Sequence, residues 1–190
     1  MSAESARAEP GPGPASGEPS QAGIDPSLFG RGLAALRIFF GVILFSNGVA
    51  KLFEFSAFTI GPYSANLVDR GVTRSILENN AAKTEVPLIP TIVNDLLLPN
   101  FGFFQWVITA TELGIGALLI VGLATRGAAL VGLGLQIFLA LLYFSSNRWV
   151  FEQPHEYVPL AILSLVPAGR VWGLDRLITR VRPRLARWPF

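Results

Sequence analysis

The chain has 190 residues, 51% of them hydrophobic and only 15% charged, and its positive mean hydropathy argues against an ordinary soluble domain and for one membrane domain. It carries no Cys, one His (His155) and one Met, which excludes paired-imidazole haem, thioether-attached haem, iron–sulfur clusters, structural disulfides and thiol nucleophiles. The net charge of +2 means little alone: the arginines crowd the C-terminal end beside an apolar segment, a placement that fits a membrane surface better than nucleic acid.

Among the 15 basic residues only Lys51 and Lys83 are lysine. With abundant Ala, Gly and Pro, this bias points to GC-rich bacterial coding. Residues 1–27 are rich in Pro, Gly, Ala, Ser and Glu with no apolar run, so they are expected to form a disordered cytoplasmic tail. They do not read as a signal peptide, since no basic segment leads into a short apolar one.

The first membrane span is expected over residues 32–53, where about 20 apolar residues suffice to cross a hydrocarbon layer roughly 30 Å thick. Asp25-Pro26-Ser27 supplies its start signal, a capping residue and a proline ahead of the apolar run. Residues 54–100 mix charged residues with prolines. Pro87 and Pro90 interrupt the apolar piece Val86 to Leu98, which predicts a short interfacial helix or capping element rather than another span. The second span is expected over 101–124, opened by an aromatic cluster suited to the headgroup level. Thr125-Arg126-Gly127 turns into a third span, 128–144, and after a polar stretch a short fourth span covers 157–174 despite Pro159 and Pro167. Residues 176–190 read as a basic cytoplasmic tail. The expected fold is therefore all-α: a four-helix transmembrane bundle over 28–175 with an interfacial helical insert between its first and second spans.

Orientation follows from the basic residues on each side. Arg7, Arg31, Arg126, Arg170, Arg176, Arg180, Arg182, Arg184 and Arg187 share one side; Lys51, Arg70, Arg74, Lys83 and Arg148 face the other, outnumbered there by Glu and Asp. The positive-inside rule then places both termini in the cytoplasm.

Ionisable groups within spans cost roughly 2.5–3.5 kcal/mol each on insertion scales, so each needs a partner or a role. Arg37 and Glu112 qualify, and Lys51 lies near the far end of the first span. Asn47 and Gln136 are uncharged polar residues at membrane depth. Arg37, Gly41, Leu44, Gly48 and Lys51 recur at spacings of three and four, which puts them on one helix face, expected to meet other helices. Antiparallel packing of the first two spans sets Glu112 level with Ser46 and Asn47. Lys51 reaches it more easily than Arg37 does, but either could be its partner. Two readings follow: an ion pair that fixes helix packing, or a polar pocket of Arg37, Asn47, Lys51, Glu112 and Gln136 that binds a quinone head group or small anion, with Glu112 as proton acceptor. His155, between Glu152 and Glu156, reads as a solvated loop residue, and no metal site is expected. Trp106, Tyr143, Trp149, Tyr157 and Trp172 fall near span ends and read as an interfacial belt.

The pattern around Arg37, Gly41, Asn47-Gly48 and Lys51-Leu52, the run Glu112-Leu113-Gly114 leading to Gly122-Leu123-Ala124-Thr125-Arg126, and the ending Gly169-Arg170 with Gly173-Leu174-Asp175 resemble the DoxX/DoxD family over roughly residues 32–175. The resemblance implies a four-helix bacterial inner-membrane protein. Such proteins serve as the small subunit of a thiosulfate:quinone oxidoreductase, or as accessory membrane subunits and scaffolds of respiratory or oxidative-stress complexes. The long 54–100 insert looks more like the DoxD branch and favours the oxidoreductase subunit, whereas the missing Cys argues against independent sulfur chemistry. No intrinsic cofactor is expected. Quinone, the lipid bilayer and a protein partner or second copy are the implied associates, and whether the chain itself catalyses anything stays open.

Overall fold

In the computed structural model the described residues are 25–182 and 188–190; the expected N-terminal tail lies outside them up to residue 24, as does part of the C-terminal tail. They are mainly helical, and three helices are long and apolar enough to cross a membrane: α1 (Pro26–Phe53), α4 (Phe101–Val121) and α5 (Thr125–Leu142). At about 1.5 Å per residue these measure roughly 42, 32 and 27 Å. Asp25 caps α1 by accepting from the Ser27 amide at 2.8 Å, with Pro26 in the first turn. These hydrogen bonds hold the Asp25 carboxyl below its ordinary value.

Between α1 and α4 lies the insert: a hairpin of β1 (Ala57–Ile60) and β2 (Tyr63–Asn66), then α2 (Arg70–Ala81) and α3 (Ile89–Thr91), which widens into a π-helical turn over Ile92–Leu97. The all-α expectation thus missed two short strands. Ile60 pairs with Tyr63 across Gly61-Pro62, and Gly61 at φ 59° suits the first central position of a primed hairpin turn. Thr84 Oγ1 donates to the Leu141 carbonyl at 2.9 Å and the Glu85 amide to Ser145 Oγ at 2.9 Å, which stitch the insert to the end of α5. Leu77, Ile89, Val93, Phe101 and Leu142 form a small core beneath it.

Beyond α5 the expected continuous helix over 157–174 is broken. Helix α6 runs Pro154–Leu165, a 3₁₀ turn covers Ala168–Arg170, and α7 spans Asp175–Val181. Val166 is extended (φ −102°, ψ 142°), because the ring of Pro167 clashes with a helical residue before it. Pro159 is accommodated inside α6.

The main core joins α1, α4, α5 and α6 through Phe40, Leu44, Ile115, Leu119, Ala129, Leu160 and Leu163. The five residues of the charged face of α1 are all buried. Helices α1 and α4 approach at backbone distance along it: a Cβ on Gly48 would stand 2.9 Å from the Leu113 nitrogen, and one on Gly116 would meet the backbone of Phe45. Small residues permit this approach where apolar packing alone would not hold helices together in lipid. Gly41 against Ile120, Phe45 against Gly116 and Gly48 against Leu113 set one antiparallel register. Continued, it brings Glu112 opposite Val49, two to three residues nearer Lys51 than matching the helix ends suggested.

Candidate functional site

The bundle has two polar centres. The first lies at the end covered by the insert. Lys51, 2% exposed, donates from Nζ to Glu112 Oε2 at 2.8 Å and to the Val68 carbonyl at 2.8 Å. Asn47, one turn earlier on α1, accepts the Val68 amide on Oδ1 at 3.1 Å. Both backbone polar groups of Val68, between the hairpin and α2, are thereby tied to α1, the carbonyl to Lys51 and the amide to Asn47, so the insert closes over the site. The Glu112 side chain, set among helices, keeps 11% exposure. What that exposure opens onto is a cavity of about 160 Å³ walled by Leu44, Leu77, Leu97, Ile108, Leu135 and Phe138. Asn47, Lys51, Glu112 and Gln136 all line it, together with Tyr143 and Glu156. The Gln136 amide oxygen is buried without a hydrogen-bond partner among the described residues, an arrangement that favours a donor entering the cavity.

The chemistry of this arrangement is specific. An apolar chamber carries an ammonium–carboxylate pair and two amides on its walls, so it can seat a small ring, hydrogen bond its oxygen substituents and exchange a proton through Glu112. Among the described residues no group of three or more His, Cys, Asp and Glu could hold a metal ion.

Arg37 does not line the cavity. It sits 14 residues earlier on α1, about 21 Å away along the helix, in the second polar centre at the end where α1 starts. There Arg37 is fully buried and donates from Nη2 to the Trp172 carbonyl at 3.1 Å, while Nε and Nη1 have no hydrogen-bond partner among the described residues. Asp175, also fully buried, accepts the Ala124 amide at 2.7 Å and the Thr125 amide at 3.2 Å. It thus caps α5 from 50 residues away in the chain, with its carboxylate on orphan amides at the positive end of the helix. The Asp175 amide returns a bond to the Gly122 carbonyl at 2.8 Å. Gly122 (φ 69°) ends α4, and a Cβ there would overlap the Arg37 guanidinium. Arg37, Gly122, Gly169, Gly173 and Asp175, scattered in sequence, therefore form one knot.

The DoxX family model matches residues 32–145, from the first turns of α1 to the end of α5. The chain belongs to the DoxX family. Comparison with curated proteins and with solved structures gives no match. The family match takes in Asn47, Lys51, Glu112, Gln136 and Tyr143 of the cavity, whereas Glu156 and the Gly169–Asp175 half of the knot lie beyond it. With its apolar helices this DoxX chain is a multi-pass membrane protein.

Sequence reasoning singled out four cavity residues but missed Tyr143 and Glu156 as members. Tyr143 reads as one more interfacial aromatic, and Glu156 as part of a polar loop. Tyr143 closes α5 seven residues after Gln136, a spacing that keeps both on one helix face, whereas only the three-dimensional return of α6 beside α5 brings in Glu156. Asp175 likewise gave no signal of its own beyond the family-like ending in which it stands.

Proposed function

We propose that this DoxX protein is a membrane subunit of a quinone-linked redox system and that the Lys51–Glu112 cavity receives a single-ring quinone head group. The observation that carries the reading is a buried cation–carboxylate pair opening on an apolar chamber of about 160 Å³, close to the roughly 150 Å³ apolar cavity that admits benzene. Lys51 and the Asn47 and Gln136 amides supply donors for the ring oxygens. Glu112 is the catalytic group in this reading, passing a proton to or from the oxygen it faces. A bound quinone supplies the acceptor for two electrons and two protons. The electrons come from a protein partner with its own redox group, because the chain has no thiol and a single imidazole. A thiosulfate-oxidising partner is the specific form of this reading.

The membrane arrangement proposed with it has four crossings and both termini in the cytoplasm of a bacterial cell. What supports a fourth crossing is the chain path: α5 ends beside the insert, while Trp172 and Asp175 meet Arg37 and Ala124 at the opposite end. The stretch from Pro154 through Arg170 makes that return. Helix α6 alone, at about 18 Å, falls short of the hydrocarbon thickness, and the 3₁₀ turn extends it.

Substituting Glu112→Gln and Lys51→Met and assaying quinone reduction in membranes tests the function. At least a tenfold loss is expected. Unchanged turnover with intact, membrane-inserted protein would show that the pair is a packing device alone.

A further inference from the structure

The cavity shares two wall residues, Ile76 and Tyr143, with a groove of about 400 Å³ on the surface of the insert end, lined also by Asp69, Ser75, Asn79 and Arg148. Arg148 lies over the Tyr143 ring with its guanidinium carbon 4.0 Å from the centroid. One aromatic side chain therefore stands between the buried pair and an open polar groove. Helix α5 gives the depth: Gln136 and Tyr143 both line the cavity, seven residues or about 10 Å apart along its axis.

The charges along this route do not cancel. Lys51 is neutralised by Glu112 at 2.8 Å and Arg148 by Glu152 at 3.2 Å. Asp69 uses one carboxylate oxygen to cap α2 through the Val72 amide at 2.7 Å. His155, beside Glu156 in sequence, places its ring nitrogen 3.1 Å from the Phe151 carbonyl. The carboxylate of Glu156, in the first turn of α6, lines the cavity without a hydrogen bond or ion pair among the described residues. Four carboxylates, Glu112, Glu152, Asp69 and Glu156, stand against the two cations Lys51 and Arg148, and the positive groups that act on Glu156 are His155 and the same Arg148 that pairs with Glu152, so the formal balance of the route is negative. By volume the cavity has room for about five waters at their share of liquid volume, and the Gln136 oxygen on its wall is buried without a hydrogen-bond partner among the described residues.

We propose that the route past Ile76 and Tyr143 is a cation-selective water port on the insert face, with Glu156 as the carboxylate through which hydronium exchanges protons with Glu112. The proposal rests on the reading of the cavity as the functional site. It adds the side of the membrane from which its protons come: the insert face, away from the Arg37 knot. In the transfer, hydronium gives a proton to the Glu156 carboxylate and leaves as water. Glu156 then loses that proton through cavity water to the Glu112 carboxylate and is regenerated. No electron is moved.

The native chain has no cysteine, so a single thiol reports access cleanly. Full-length Gln136→Cys protein, reconstituted in vesicles of established orientation, is treated from either face with membrane-impermeant cationic and anionic thiol reagents. Labelling at least tenfold faster from the insert face is expected, with the cationic reagent preferred. Glu156→Gln in that background should abolish the preference and Glu156→Asp should retain it. Leu139→Cys, on the same cavity wall, is the second reporter should the first disturb folding. Equal labelling from both faces, no labelling of either reporter from the insert face, or a preference untouched by Glu156→Gln would overturn the port. Protection of the thiol by an added single-ring quinone is read separately: its absence counts against the quinone assignment and leaves the port standing.

Discussion

Lys51 and Glu112 illustrate why a buried ion pair has a one-sided sensitivity. The pair itself contributes modestly, because both charges lost their hydration, but removing one partner strands the other in a low-dielectric interior at a cost of roughly 3–5 kcal/mol. Lys51→Met alone is therefore expected to lower the detergent-solubilised melting temperature markedly, and Lys51→Met with Glu112→Gln to recover most of the loss; thermal unfolding of wild type and the two variants checks this. Asp175 carries a second residue-scale prediction. Asp175→Ala removes the acceptor for two amides at the start of α5, and a loss of about 2 kcal/mol is expected from an uncapped, buried helix start. Melting of that variant beside wild type measures it. Which cation meets Glu112 could be narrowed from helix rise alone, since Lys51 stands closer to its level. The role of Asp175 could not, because a cap supplied from 50 residues away leaves no local pattern.

Among the elements, the seam between α1 and α4 was the most readable, because Gly41, Gly48, Arg37 and Lys51 share one face at helical spacing, and charge and glycine both favour protein over lipid. Its energetic content can be separated by two substitutions two residues apart. A Cβ on Gly116 meets the Phe45 backbone, whereas one on Gly114 meets nothing within 4 Å. Gly116→Ala should therefore cost about 1–3 kcal/mol through forced separation of the helices. Gly114→Ala should be neutral or gain up to about 1 kcal/mol, since alanine is the better helix former. Comparing the melting of the two variants tests whether contact or propensity decides. The elements least readable were those that break a simple hydropathy pattern. The hairpin is four residues a strand, with Thr59, Ser64 and Asn66 polar, too short for an apolar period to mark it, and only Gly61-Pro62 hints at its turn. Helix α6 was expected to begin at Tyr157 and run on through Pro167. Its start at Pro154 and its end at Leu165 follow from proline's tolerance in a first turn and its effect on the residue before it.

For the molecule as a whole, the two ends of the bundle do different things. The Arg37–Asp175 knot ties the last helical segment to the first and to the α4–α5 turn, and it is packed so closely that glycine alone fits at Gly122. At the other end the insert closes over a hollow, and the polar groups there are held by it without filling the space. Hydropathy and charge spacing could reveal an apolar bundle with an acid at mid-depth. They could not reveal that the acid faces a cavity, because cavities arise where the side chains of α1, α4, α5 and the insert fail to meet, a property of their joint arrangement. The most direct measurement is equilibrium binding of a short-tailed, single-ring quinone to the purified full-length protein and to its folded Lys51→Met, Glu112→Gln double variant. The account predicts saturable binding at one site in the native chain, weakened at least tenfold in the variant. Binding that does not saturate, or equal affinity of the two proteins, would contradict it.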